Sequence, residues 1–282
     1  MSSSTLRLRR LSQELVRLRK TAGLTVEEVT KRLDWSTGRL TFIERRKWVR
    51  ADVGNVARLL DVYGVTGAER AELLELARRS REKDWWADYK DLFPAKLPGV
   101  EGAAAVIQTF EPQFVPGLLQ IREYAQAVLM GGQVLDPSSV ARRVDARMER
   151  QQILTRDDPP APHLFAVIDE AALLRMVGGP KIMHAQLGHL IQVAAWESVT
   201  IHVLKLSTGA HAAANGGFAI LHFAADDDPP AVYIEGVTAA QWMERPEDVR
   251  SYTRTFNHVA TAAQTPEESV AYMSELRDKL KE

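Results

Sequence analysis

The stretch Thr25–Trp48, TVEEVTKRLDWSTGRLTFIERRKW, decides how the N-terminal part of the chain folds. Thr25 stands three residues ahead of Glu28, the spacing of a capping box in which each side chain satisfies a free backbone N–H. Val26, Val29 and Leu33 then fall at i, i+3 and i+7, on one helical face. Asp34 sits where the chain must turn tightly, and Asp is among the few non-glycine residues that tolerate a left-handed backbone. Ser36 is a credible N-cap for the next helix, whose Leu40 and Ile43 point inward. Where a glycine would ordinarily end that helix, the chain has Arg45 and Arg46.

Working outward, LRRLSQELVRLRKTAG carries Leu8, Leu11, Leu15, Val16 and Leu18 at helical spacing and closes on Gly23. Downstream, a fourth helix runs from about Asp52 through Val56, Leu59 and Leu60 to Tyr63. A fifth starts at a second capping-box pair, Thr66 and Glu69, and carries Leu73, Leu74, Leu76 and Ala77. Five short helices, the second and third joined by a brief turn, make a helix-turn-helix arrangement. The charge supports that reading. Residues 1–50 hold 13 Lys and Arg against 5 Asp and Glu, while the remainder holds 23 against 32. A basic head on an acidic body is what phosphate neutralisation by clustered cations requires.

The segment LRKTAGLTVEEVTKRLDWSTGRLTFIE resembles the lambda-repressor/Cro-like (XRE-type) DNA-binding domain over roughly its whole length. That resemblance implies that the second helix of the pair enters the major groove. By position it makes Thr37, Gly38, Arg39 and Phe42 the base-reading residues. Phosphate contacts fall to Thr25, Lys31, Arg32, Ser36, Thr41, Arg45, Arg46 and Lys47. Arg39 stands out, because a guanidinium can bridge guanine O6 and N7 with two bonds. Glu44 matches an acid that in the family pairs with a first-helix arginine, here Arg19, as scaffold. Three positions depart from the pattern: Val26 replaces a phosphate-donating Gln, Thr30 a smaller residue, and Arg45-Arg46 an Asn-Gly. The two arginines compensate for the donor that Val26 lacks, since a phosphate needs only a donor within reach.

After residue 80 the texture changes. SREKDWWADYKDLFPAKLPG sets Trp85, Trp86 and Tyr89 close together, then two prolines and a glycine. It reads as a linker whose aromatics either dock one domain on the other or form a partner or dimer surface. The expected division is residues 1–79 as head, 80–100 as linker and 101–282 as body. In the body, EGAAAVIQTFE, VPGLLQIREYAQAVLM and SSVARRVDARMERQQIL read as helices, with Pro116 in a first turn. HLFAVID reads as a strand, EAALLRMV and GGPKIMHAQLGHLIQVAA as helices, and VTIHVLKL, GFAILHF and AVYIEG as strands. The fold class expected is therefore an α-helical head followed by a mixed α/β body of about four strands.

The body segments VPGLLQIREYA, RRVDARMERQQIL, VIDEAALLRMVGGPKIMHAQLGHLI and VTIHVLKLSTGAHAAANGGFAILHF carry a second resemblance. They look like the C-terminal domain of unknown function of a large actinobacterial regulator family, in which it follows an XRE-type head. Those regulators are described as antitoxin-like, and their genes commonly neighbour a small protein regarded as their partner. The likeness runs over about residues 6–275 in the family's order. Ile121 stands where the family usually has Thr, and WESVT replaces a common proline; both read as packing changes.

Catalytic signals are weak by comparison. The chain has no cysteine, so neither disulfides nor thiolate metal sites arise. No apolar run reaches the length of a membrane helix, and no h-region follows the N-terminal arginines, which leads us to expect a cytoplasmic protein. All seven histidines lie after residue 160, and His184 and His189 are five apart, pointing to different helix faces. Asp169, Glu170 and Glu235 fall at strand ends, where capping explains the first two. Gly178-Gly179 and Gly216-Gly217 lack phosphate-loop spacing, and GAHAAANGG is a small-residue loop that either covers a ligand or simply connects strands. The expectation is no enzyme, no metal and no cofactor. The function expected is a sequence-specific, dimeric DNA-binding transcriptional regulator acting on a palindromic operator, its body receiving a protein-partner or small-molecule signal. The family resemblance favours a protein. The alternatives are an antitoxin-like interaction protein that uses DNA binding for autoregulation, and an enzyme with a DNA-binding appendage.

Overall fold

The computed structural model describes residues 4–280 except 46–47, 49, 82–84, 90, 94–96, 133–135, 158–159, 225–228 and 237–238. The chain separates into two compact units: Met1–Lys90 with Lys96–Ala103, and Asp91–Ala95 with Ala104–Glu282.

The first unit holds α1 (Ser4–Thr21), α2 (Val26–Leu33), α3 (Thr37–Glu44), α4 (Val53–Tyr63) and α5 (Gly67–Arg79), then a 3-10 turn at Trp85–Tyr89 and α6 (Leu97–Glu101). The five helices expected from periodicity are present. Leu11, Leu15, Val29, Leu40, Leu59 and Leu60 are completely buried at their meeting point. Each such side chain contributes about 1.5–3 kcal/mol, and together they fix α3 against α1, α2 and α4. The Thr25–Glu28 capping box forms in both directions, and Asp34 takes the left-handed conformation (φ 54°, ψ 51°) that closes α2. Asp52 caps α4 through the Asn55 N–H. The second expected box does not form. Thr66 precedes α5 without a side-chain cap: Gly67, the first residue of the helix, takes a left-handed backbone (φ 64°), and the Glu69 carboxylate pairs with Arg17 of α1 at 2.6 Å. Thr30, buried in α2, donates its hydroxyl to the Val26 carbonyl at 2.9 Å, so the larger residue leaves no polar atom stranded.

The second unit is built on a six-stranded sheet ordered β3-β2-β1-β4-β5-β6. Its strands are β1 (Ala104–Glu111), β2 (His163–Asp169), β3 (Val199–Leu204), β4 (Phe218–Phe223), β5 (Ala231–Glu235) and β6 (Ala240–Met243). β1, β2 and β3 run parallel, while β4, β5 and β6 continue antiparallel from β1. β2 to β5 are the four strands expected. β1 and β6 are additional, and β1 corrects the helix expected over EGAAAVIQTFE. The alanines at 103–105 favour a helix locally, but Val106, Ile107, Thr109 and Phe110 suit a pleated surface. Pairing on both sides, with β2 and with β4, decides the outcome.

Around the sheet lie α7 (Arg122–Gly132), α8 (Pro137–Gln151), α9 (Glu170–Leu174), α10 (Pro180–Val193), α11 (Pro246–Ala262) and α12 (Pro266–Lys279). α11 packs Val249, Phe256 and Val259 against Phe110, Val167, Phe218, Ile220 and Val232. The edge strand β3 is closed at Val203, whose N–H donates to the Ser269 hydroxyl and whose carbonyl accepts from Gln264, both at 2.9 Å.

Candidate nucleic-acid interface

The helix α3 owes its orientation to its two ends and one buried face. At its start the Ser36 hydroxyl accepts the Arg39 N–H at 3.3 Å. Leu40 and Ile43 are buried, which turns Thr37, Gly38, Arg39 and Phe42 to solvent. Phe42 is 47% exposed, an apolar surface that water does not favour but a thymine methyl would cover. Ser36 is exposed and Thr41 half-buried beside this row. Lys31 and Arg32 are exposed on the preceding helix and Arg45 at the exit. Thr25 is exposed, but both of its donors are already committed to Glu28. Arg46 and Lys47 lie outside the described residues.

At its far end, α3 stops without glycine. Arg45 caps it at φ −82° and ψ 13°, a conformation open to any residue, and its N–H returns to the Thr41 carbonyl at 2.9 Å. The Ile43 carbonyl is satisfied from α1: Ser12, completely buried, donates to it at 2.8 Å and accepts the Trp48 indole N–H at 2.8 Å. Sequence reasoning missed this relay. Its signal was a serine among the inward positions of α1.

Several cations of the unit are engaged with carboxylates, whereas Lys20, Arg79 and Arg81, like the cations of this face, are exposed and have no ion pair among the described residues. Arg10, Arg17, Arg19, Arg70 and Arg78 are all ion-paired. Lys31, Arg32, Arg39 and Arg45 have no ion pair among the described residues. The Arg19 guanidinium grips both oxygens of Glu44, at 2.7 and 3.0 Å, and donates to the Leu24 carbonyl at 2.8 Å. That hydrogen bonding raises the Arg19 pKa further above its already high value. With side chains 14% and 11% exposed, the pair braces α1 against α3 rather than facing a ligand.

Trp85, Trp86 and Tyr89 are half-buried on their 3-10 turn, with the Trp85 and Tyr89 ring centroids 6.1 Å apart. In the second unit Asp169 is the N-cap of α9, accepting the Ala171 N–H at 2.8 Å. Glu170, buried, accepts from Lys205, from the Tyr272 hydroxyl and from the Leu206 N–H. Burial opposes its ionisation, but these bonds outweigh burial and hold the carboxyl below its usual range. Glu235 ends β5, exposed. His202 contacts the Gln264 carbonyl and His222 the Gln108 side chain, so both are tied into the fold. Among the described residues no group of three His, Asp or Glu is arranged for a metal, and no helix is long and apolar enough to cross a membrane.

The VPGLLQ loop is held by side chains from three helices. Gln186 of α10, completely buried, accepts from the Ile121 N–H and donates to the Leu119 carbonyl, each at 2.8 Å. Gln151 of α8 donates to the Gly117 and Gln120 carbonyls, while the Tyr124 hydroxyl of α7 accepts the Val115 N–H. The loop is thus a fastener between helices. An apolar groove floored by Pro137, Val140, Ala141 and Val144 runs between α7 and α8, with Arg122, Gln126 and Met130 on its other wall.

Residues 95–275 match the family model of a domain of unknown function, DUF5753. Residues 10–73 match the model of a helix-turn-helix domain, which spans α2, α3 and their supports. No curated protein and no solved structure matches the chain.

Proposed function

The chain belongs to the DUF5753 family, and from that premise we propose that it is a sequence-specific DNA-binding transcriptional regulator acting as a homodimer. The observation that carries the reading is the row Thr37, Gly38, Arg39 and Phe42 on the free face of α3. Lys31, Arg32 and Arg45 flank that row, exposed and without an ion pair among the described residues. A helix-turn-helix domain supports this. The helix enters the major groove, Arg39 and its neighbours meet base edges, and the flanking cations take phosphates. One module of this size reads a short site, so two copies on half-sites about one helical turn apart supply the specificity. The body joins the copies and receives the regulatory input, for which a small protein partner is the first choice and a small molecule the second. The reading assigns no reaction to the body.

The test is selection of bound sequences from synthetic duplexes with a randomised central segment, with the stoichiometry of the selected complex measured by analytical ultracentrifugation. A palindromic preference bound by two copies is the expected result. Recovery of no preferred sequence overturns sequence-specific recognition. A single copy on the selected duplex overturns the dimer.

A further inference from the structure

Trp35 occupies the turn between α2 and α3, half-buried against the core of the first unit. The Arg39 guanidinium lies over its ring, 4.2 Å from the centroid. Arg58 of α4 approaches the same ring at 5.6 Å and is itself anchored on the Leu33 carbonyl at 2.7 Å. Beyond this stack the Arg39 side chain makes no hydrogen bond and no ion pair among the described residues. The indole Nε1–H, buried, has no hydrogen-bond partner among the described residues either. An unsatisfied N–H is a cost that a leucine of similar reach would avoid, so packing alone does not account for the tryptophan. Its π face does.

We infer that Trp35 is a positioning residue for base recognition, holding the Arg39 guanidinium in one plane with all five of its N–H donors free. The inference rests on the DNA reading of α3. Stacking engages a guanidinium by its face, whereas hydrogen bonds to guanine O6 and N7 leave from its edge, so the two are compatible in one geometry. An arginine on a helix surface otherwise samples many rotamers, and binding must then freeze them. The stack does this before DNA arrives. The capped turn makes the arrangement durable: Asp34 fixes the backbone before Trp35, the Trp35 N–H is bonded to the Thr30 carbonyl at 2.9 Å, and Ser36 starts the helix that carries Arg39.

The experiment is a double-mutant cycle on the full chain with Trp35→Leu and Arg39→Ala, each assayed against the randomised duplex library and then against the duplex that wild type selects. Trp35→Leu is expected to relax preference at the base pair that Arg39→Ala relaxes, and to weaken the selected duplex about two- to fivefold, the worth of an exposed cation–π contact. In the Arg39→Ala background it should then add nothing. Full additivity of the two substitutions, or an unchanged preference at that base pair in Trp35→Leu, overturns the inference. Should Trp35→Leu fail to fold by circular dichroism, Trp35→Phe, which keeps a weaker aromatic face, runs through the same cycle with the same criteria and a smaller loss. A wild-type chain that selects no sequence overturns the underlying DNA reading instead, which separates the two failures.

Discussion

Trp48 donates its indole N–H to the Ser12 hydroxyl at 2.8 Å, and that hydroxyl in turn donates to the Ile43 carbonyl at the end of α3. The pair takes the place of the left-handed glycine that ends many helices, because it satisfies a terminal carbonyl of α3. Ser12→Ala would strand the Trp48 N–H and release that carbonyl in a buried setting. The expected loss is about 1–3 kcal/mol of unfolding free energy, read as a lower urea midpoint. An unchanged midpoint would mean that the relay holds nothing.

Arg45 is exposed and free of any ion pair among the described residues, and the proposed function gives it an electrostatic role on the phosphates. Arg45→Ala is expected to weaken binding to every duplex alike and to flatten the slope of log affinity against log salt by about one unit. Arg39→Ala should instead cost about 1–3 kcal/mol at one base pair. Titrations of selected and scrambled duplexes over a salt series separate the two patterns. A sequence-dependent effect of Arg45→Ala would move that residue from backbone to base contact.

How much of this was legible in the sequence follows from how local each feature is. The Thr25–Glu28 box, the Asp34 turn and the Ser36 cap are fixed within three residues, so pattern alone places α2 and α3 and turns Thr37, Gly38, Arg39 and Phe42 outward. The Thr66–Glu69 pair has the same spacing yet forms no box: Gly67 between them takes a left-handed backbone, and the carboxylate is engaged by Arg17, 52 residues away. β1 escaped for a similar reason: its partners β2 and β4 are distant in sequence, and its alanines argue for a helix until the sheet is assembled. The Trp35–Arg39 stack spans only four positions, but a tryptophan between a turn and a cap carries no periodic signal. Its role emerges only when the guanidinium is seen to lie over the indole face.

In the body, Gln186 is the residue whose removal should be felt most sharply. Its side-chain amide accepts the Ile121 N–H and donates to the Leu119 carbonyl. Gln186→Leu keeps the volume but leaves the buried Leu119 carbonyl and the part-buried Ile121 N–H without this partner, at an expected cost of about 2–4 kcal/mol. Gln192→Leu, an exposed position on the same helix, should stay within about 0.5 kcal/mol. Equal urea midpoints for the two variants would show that water reaches the loop.

Glu111, at the end of the central strand β1, gives the body a pH dependence of definite sign. Burial, then the nearby Glu235 carboxylate, push its carboxyl up to about 7, against the opposing pull of Arg150, the Thr109 hydroxyl and Arg147. Crowding is visible at Gly217, where an added Cβ would lie 3.2 Å from a Glu111 carboxylate oxygen. Folded Glu111 therefore holds its proton where the unfolded chain has lost it. Its contribution to stability is complete below about pH 4.5 and declines as pH rises through about 7. Glu111→Gln stays neutral throughout, so it should match wild type near pH 5 and be more stable near pH 8, by roughly 1–2 kcal/mol after allowance for partial solvation. Melting curves of both chains across that range should diverge on the alkaline side. Parallel curves, or divergence on the acid side, would place the Glu111 carboxylate in a favourable ion pair with Arg150 rather than in a penalised one.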